Sequence, residues 1–259
     1  MRVESKTTEP APRRQLHLLY HKLRGEPAAY SYVTSTALFQ QHLDICLQAR
    51  QAEGSRLWPE ITFDDGHLSN HDLAAPALES RHMTAQFFIT AGWTGAKPGY
   101  MGWPELRALH ASGHRIGAHG WSHTLLTHCN HRELEMELVR PRLVLEDKLG
   151  GAITTMSLPG GRANARVLAA CRKAGYSRVF TSIPKAQAEP LGEIIGRLNV
   201  LGEVQPEWLA KVLDPASGML AALERRQHIK DLAKSLLGDR LYGRVWSMVN
   251  RHEPEDTAA

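Results

Sequence analysis

The stretch "PEITFDDG", residues 59–66, decides how the rest of the chain is read. Ile61, Thr62 and Phe63 form a short apolar run that favours a β-strand. The run ends on two adjacent carboxylates, Asp64 and Asp65, followed by a glycine. Side by side the two charges repel, and each loses solvation in an apolar neighbourhood, so something must compensate them. A metal ion is one candidate. Asp is also favoured in turns and helix caps, which would account for the pair without any chemistry.

Outward from this stretch, strand-like and helix-like segments alternate. Residues 15–22, 59–65, 84–90, 114–119, 152–161, 176–182 and 193–200 read as strands. Between them, residues 35–50 read as a helix opened by a Ser cap, and 70–83 and 164–175 also read as helices. Residues 103–113 have Pro in the first turn and Gly at the end, and 130–150 form a long helix interrupted near Pro141. About seven strands alternating with helices imply a parallel sheet covered on both faces, open or closed into a barrel. Polar residues gather at the carboxyl ends of these strands: Asp64 and Asp65 on one, His119 on another, the "PGGR" of Pro159 to Arg162 on a third. In α/β barrels the chemistry sits at that end, where the loops converge.

Composition sets the remaining bounds. The 259 residues, 42% hydrophobic and 22% charged, suit one domain with tails. A net charge of +4 with no concentrated basic patch gives no reason to expect nucleic acid as a partner. Three cysteines without CxxC spacing fit neither a disulfide framework nor a zinc ribbon, which favours a reducing compartment. Residues 1–14 read as a disordered leader, residues 15–200 as the domain, and residues 201–259 as a helical C-terminal extension. No run approaches the roughly 18 apolar residues of a membrane span, so a cytoplasmic protein is expected. An amphipathic helix over about residues 224–252 carries Ile229, Leu232, Leu236, Leu241 and Trp246 at helical spacing. It packs on its own domain or a partner, or lies on an anionic membrane surface.

The second polar cluster is "HGWSH", with His119 and His123 at i and i+4. On one helical turn the two imidazoles would share a face and could grip one cation, though 14 histidines make chance pairs common. With Asp65 they form a set of two nitrogens and one oxygen that suits catalytic zinc, and also cobalt, nickel or iron. Asp64 is then left free as a base. The loop "WTGAKPGYMGW", residues 93–103, interleaves aromatics with glycines, which suits stacking on a sugar ring and equally suits loop packing.

"TFDDG" (62–66), followed by "TAQFFIT" (84–90) and "SGHRIGAHGWSH" (112–123), resembles the polysaccharide deacetylase family, also called the NodB homology or carbohydrate esterase family 4 domain. The resemblance covers about residues 15–200 and includes "LLYHK" near the start. It implies a distorted (β/α) barrel of about seven strands and a divalent metal, usually zinc. The activity implied is hydrolysis of an N-acetyl or O-acetyl group on a carbohydrate. By position Asp65, His119 and His123 match the metal ligands and Asp64 the catalytic base.

Two family motifs depart from the pattern. The third normally offers an Arg that braces the catalytic Asp, then a Pro and a Tyr. Here "SLPGGRAN" (157–164) puts Ser157 at the Arg position and Gly160 at the Tyr. Pro159 and Gly160 then join Trp93 and Tyr100 as candidate substrate contacts. Arg162 is expected to reach back to Asp64 as a substitute, unless the segment is merely a Gly-rich turn. The fifth motif normally supplies a His as general acid, and "IIGRLNV" has Arg197 instead. An arginine is a poor proton donor but can pair with the base or stabilise negative charge. The acid could then be metal-bound water, Asp64 cycling its proton, His21 or His128. A second reading is a non-catalytic carbohydrate-binding protein with a degenerate site. With no secretion signal in view, the expected substrate is an acetylated precursor of a cell-surface or exopolysaccharide glycan.

Overall fold

The computed structural model describes residues 12–26, 31–54 and 56–229. In chain order the elements are β1 (Arg14–Tyr20), β2 (Lys22–Arg24), β3 (Val33–Ser35), α1 (Thr36–Gln51) and β4 (Leu57–Phe63). After a π-helical turn at Asn70–Ala74 come α2 (Ala75–Glu79), β5 (Ala85–Ile89), α3 (Trp103–Ala111), β6 (Arg115–Ala118) and α4 (His131–Leu149). The chain continues with β7 (Thr155–Ser157), α5 (Ala165–Lys173), β8 (Arg178–Phe180), β9 (Gln187–Ala188), β10 (Ile194–Ile195), β11 (Arg197–Asn199) and α6 (Pro206–Leu213). The main sheet runs β10-β8-β7-β6-β5-β4-β1-β11, with β9 paired antiparallel to β1. All other pairings in this sheet are parallel.

The two ends of that order are consecutive in the chain, so the sheet nearly closes into a barrel. The sequence suggests one last strand over residues 193–200, but Gly196 divides it. β10 pairs with β8 and β11 pairs with β1. A Cβ on Gly196 would lie 2.3 Å from the Ile183 carbonyl oxygen, so only glycine permits the crossing there.

Registers keep the strand ends level. Tyr20 pairs with Phe63, Phe63 with Phe87, Ile89 with Ala118, Ala118 with Met156 and Ser157 with Phe180. The residues just past these positions, including Asp64 and His119, therefore emerge at one rim. Packing holds the register: the Phe63 and Phe87 rings stack at 5.2 Å, and Phe88, Phe180 and Ile195 form a small cluster of their own. Gly117 is required beside that cluster, because a Cβ there would lie 2.6 Å from both the Phe88 ring and Thr155 Oγ1.

Two helix expectations change. α4 runs unbroken through Pro141, whose ring is buried with Leu134, Leu138 and Leu145. An Asn130–Glu133 capping box at one end and Gly150 in the left-handed conformation at the other secure it on both sides of the proline. The expected helix over 70–83 is shorter and begins as a π turn.

The core also continues past residue 200: Leu209, Val212, Leu213 and Leu220 belong to the same buried cluster as β1 and β4. Residues 219–229 are helical, and Glu224 in that helix bonds Arg14 and the Ala186 amide. The rest of the amphipathic segment, residues 230–252, lies outside the described residues, as does most of the expected leader. Arg14 already belongs to β1. Among the described residues no helix is long and apolar enough to cross a membrane. Cys46, Cys129 and Cys171 are free, buried thiols.

Candidate metal centre and catalytic pocket

A cavity of about 690 Å³ opens at the carboxyl rim of the barrel, with Asp64, Asp65, His119 and His123 among its lining residues. Asp65 Oδ1 lies 3.3 Å from His119 Nε2 and 3.3 Å from His123 Nε2. That oxygen is buried and makes no hydrogen bond. One ligand atom from each of the three residues falls within 4.8 Å of the others. A buried acceptor facing two ring nitrogens is a cost unless a cation fills the space between them, so the residues present fit a divalent metal. The tautomer agrees: His119 Nδ1–H donates to the Ser157 carbonyl at 2.8 Å, leaving the Nε2 lone pair free.

The backbone pays for this convergence. Among the described residues, Asp65 (φ 74°) and His123 (φ 67°) are two of the three non-glycine residues in the left-handed region. Side chains rarely adopt it, and such strain gathers where function fixes geometry. The two histidines do not share a helical turn as their spacing suggests. They sit on an irregular loop after β6.

Glu137, buried on α4, holds that loop. Its Oε2 accepts from the amides of Trp121 (2.8 Å) and Ser122 (3.0 Å), and its Oε1 from Ser122 Oγ (2.6 Å). Gly120 (φ 79°) leaves room for the carboxylate, since a Cβ there would lie 2.9 Å from Glu137 Oε2. On the loop's other side the Gly92 amide donates to the Trp121 carbonyl at 2.9 Å. Sequence reasoning passes over Glu137, although an acid on the Leu134–Leu138 face of a helix is a visible signal.

Asp64 has a different environment. Arg197, fully buried, grips it bidentately, Nη1 to Oδ1 at 2.7 Å and Nη2 to Oδ2 at 2.8 Å. Ser157 Oγ donates to Oδ2 at 2.9 Å and itself accepts from Arg197 Nη2 at 2.7 Å. Arg197 Nε is anchored on the Thr181 carbonyl at 3.1 Å. Burial alone would raise the Asp64 pKa, but the Arg197 charge and hydrogen bonds outweigh it and hold the carboxyl below its ordinary value. Asp65 is likewise held well below, burial being overcome by His119 and His123. For His119 burial is overcome by Asp64 and Asp65, which raise it.

The guanidinium that the third motif lacks is thus supplied from β11, with Ser157 filling the space left at its end of β7. Arg162 is not brought to Asp64. It is exposed beyond the Pro159–Gly161 turn, where Gly160 and Gly161 are both left-handed and carry the chain outward. Trp93, Tyr100 and Gly160 line the cavity, whereas Pro159 is buried behind it. His21 lines the cavity with its ring 4.7 Å from Tyr32, while His128 is exposed outside it. Asn199, at the end of β11, also lines the cavity with a buried, unpartnered Oδ1.

Comparison with known proteins gives a family and a fold. The family model described as polysaccharide deacetylase matches residues 58–179. Chitin deacetylase 1 of Cryptococcus neoformans is 29% identical over 120 residues, 46% of this chain and 24% of its own length. Peptidoglycan-N-acetylglucosamine deacetylase PgdA of Listeria monocytogenes is 31% identical over 108 residues, 41% of this chain and 22% of its own. The chain thus spans about a quarter of the length of these two relatives. In fold, the Streptococcus pyogenes deacetylase PplD, solved in complex with acetate, superposes with a TM-score of 0.69 at 18% identity. That match covers 79% of this chain and all of that one. Residues 58–179, which carry Asp64, Asp65, His119 and His123, belong to the polysaccharide deacetylase family.

Proposed function

We propose that this chain is a metal-dependent hydrolase that removes an acetyl group, most simply an N-acetyl group, from a carbohydrate or glycan precursor. One observation carries the reading: an unpartnered Asp65 oxygen faces His119 and His123 while Asp64, its neighbour, is held ionised by Arg197. Two imidazoles and one carboxylate form a zinc set that leaves a position open for substrate or water. Bound there, a divalent cation supplies Lewis acidity toward the acyl oxygen and acidifies water.

The protein's own groups do the rest. Asp64 accepts the proton of the attacking water. Its Oδ2 accepts from both Arg197 and Ser157, so Oδ1, which accepts from Arg197 alone, keeps a lone pair for that purpose. His21 gives a proton to the leaving nitrogen, so acetate and a free amine result. Its ring lies close enough to Asp65 and Asp64 for both charges to oppose the lowering of its pKa by burial. Arg197 is a positioning residue, since both Asp64 oxygens and Ser157 occupy its donors. The missing family arginine and histidine motivate the alternative of a non-catalytic carbohydrate-binding relic; Arg197 on Asp64 and His21 at the cavity speak against it.

Acetate release from N-acetylated and O-acetylated oligosaccharides by the zinc-reconstituted protein tests this reading. Asp64→Asn is expected to abolish release while zinc stays bound. His21→Gln is expected to lower kcat more than it raises KM and to remove the basic limb of the pH profile. Zinc-loaded protein that releases no acetate from either panel would return the chain to the binding-protein reading.

A further inference from the structure

The rim of the cavity differs in charge from its floor. On the floor Asp64 is matched by Arg197, and Asp65 faces the two histidines of the candidate metal site. At the rim Lys22 and Lys97 line the same cavity, both half-buried. Among the described residues lining the cavity, Asp64 and Asp65 are the only carboxylates, so neither lysine has an acid of its own there.

Aromatic rings hold these ammonium groups instead. Lys97 Nζ lies 3.8 Å over the Trp93 ring and 4.8 Å from Tyr100, and Lys22 Nζ lies 5.9 Å from the same Tyr100 ring. A cation–π contact steadies an ammonium but uses none of its three N–H donors. Trp93 also packs against His123 at 5.2 Å and Tyr100 at 4.7 Å. The ring that the sequence offers for sugar stacking is therefore engaged with Lys97, Tyr100 and a candidate metal ligand. Its place in the fold is to present a positive charge beside the catalytic floor.

We infer that the acetylated sugar taken by this cavity carries an anionic group, a phosphate or a carboxylate, and that Lys22 and Lys97 receive it at the rim. This rests on the deacetylase reading and specifies its substrate class. A neutral glycan makes no use of two partially desolvated ammonium groups, whereas an anion gains charge-assisted hydrogen bonds from both. The same contacts fix the distance between the charged group and the acetyl carbon over Asp64.

The test uses the full chain reconstituted with zinc and three probes: N-acetylglucosamine 1-phosphate, N-acetylmuramic acid and a neutral N-acetylglucosamine oligosaccharide. Binding is followed by calorimetry and turnover by acetate release, with zinc content measured in every variant. One anionic probe is expected to bind and react better than the neutral one by on the order of tenfold. Whichever it is identifies phosphate or carboxylate as the source of the charge. That preference should shrink in Lys97→Met and Lys22→Met, and with added salt, and should return in Lys97→Arg. Equal handling of charged and neutral probes, or a preference that survives both methionine variants, would overturn the inference while leaving the deacetylase reading standing. Lysine-dependent binding of an anionic probe with no acetate released from any would do the reverse.

Discussion

Replacing Arg197 with methionine is the perturbation whose size follows most directly from the structure. Arg197 is fully buried and makes hydrogen bonds to both Asp64 oxygens, to Ser157 and to the Thr181 carbonyl. Methionine fills much of the volume but removes the charge, leaving a carboxylate that is 3% exposed without its counterion. Breaking a buried pair from one side costs about 3–5 kcal/mol, because the remaining charge is stranded. The assay is urea unfolding of wild type, Arg197→Met, Asp64→Asn and the double variant, read as a cycle. The double variant should recover about 2 kcal/mol or more over the sum of the single losses, since no charge is then left unpaired. The pH dependence supplies a second readout. A depressed Asp64 pKa gives stability that is present above the unfolded value of about 3.9 and lost as pH falls through the lower folded value. In Arg197→Met burial acts unopposed by the guanidinium, so acid should no longer cost stability through this carboxyl. A loss below about 1 kcal/mol, or single losses that simply add, would refute the pairing as the organising interaction of the floor.

Other consequences are open to simpler measurements. Glu137→Gln keeps the shape of the brace but offers one good acceptor where three hydrogen bonds now converge. Zinc affinity should fall by on the order of tenfold with little change in the far-ultraviolet spectrum, and unchanged affinity would show that the histidine loop holds itself. Gly120→Ala places a Cβ against Glu137 Oε2 at a φ of 79°, so a melting temperature equal to wild type would contradict the packing described. His17, buried inside the barrel, has its pKa pushed down to about 3 by burial and then by Arg115, Arg197 and Arg178. It stays neutral in the folded state while the unfolded chain takes up a proton below about pH 6.5, so stability falls as pH drops through that window. The share from His17 is about 2 kcal/mol at pH 5, and His17→Leu should remove that part of the slope.

Much of the floor was legible because its signals are local. "TFDDG" and "HGWSH" combine residue types that are costly together without a cation, and alternating strands and helices bring sequence-distant strand ends to one rim. What the sequence hid depends on three-dimensional reach. Arg162 stands near the motif in sequence but is carried away by two left-handed glycines, whereas Arg197 is far along the chain and adjacent across the barrel closure. The division of the last strand at Gly196 was illegible for a similar reason. Its cause is a close approach of the Ile183 carbonyl, which no periodicity encodes. The two histidines share no helical face because Gly120 and His123 both take positive φ, so the pair that the spacing singles out is brought together by a different conformation.

The most direct test of the account is zinc content after reconstitution and dialysis, measured for wild type, Asp65→Ala, His119→Ala and Asp64→Asn. About one equivalent is expected in wild type, with its loss in Asp65→Ala and His119→Ala and its retention in Asp64→Asn, if one carboxylate of the pair holds the cation and the other works beside it. No zinc in the wild type, or the same content in all four proteins, would contradict it.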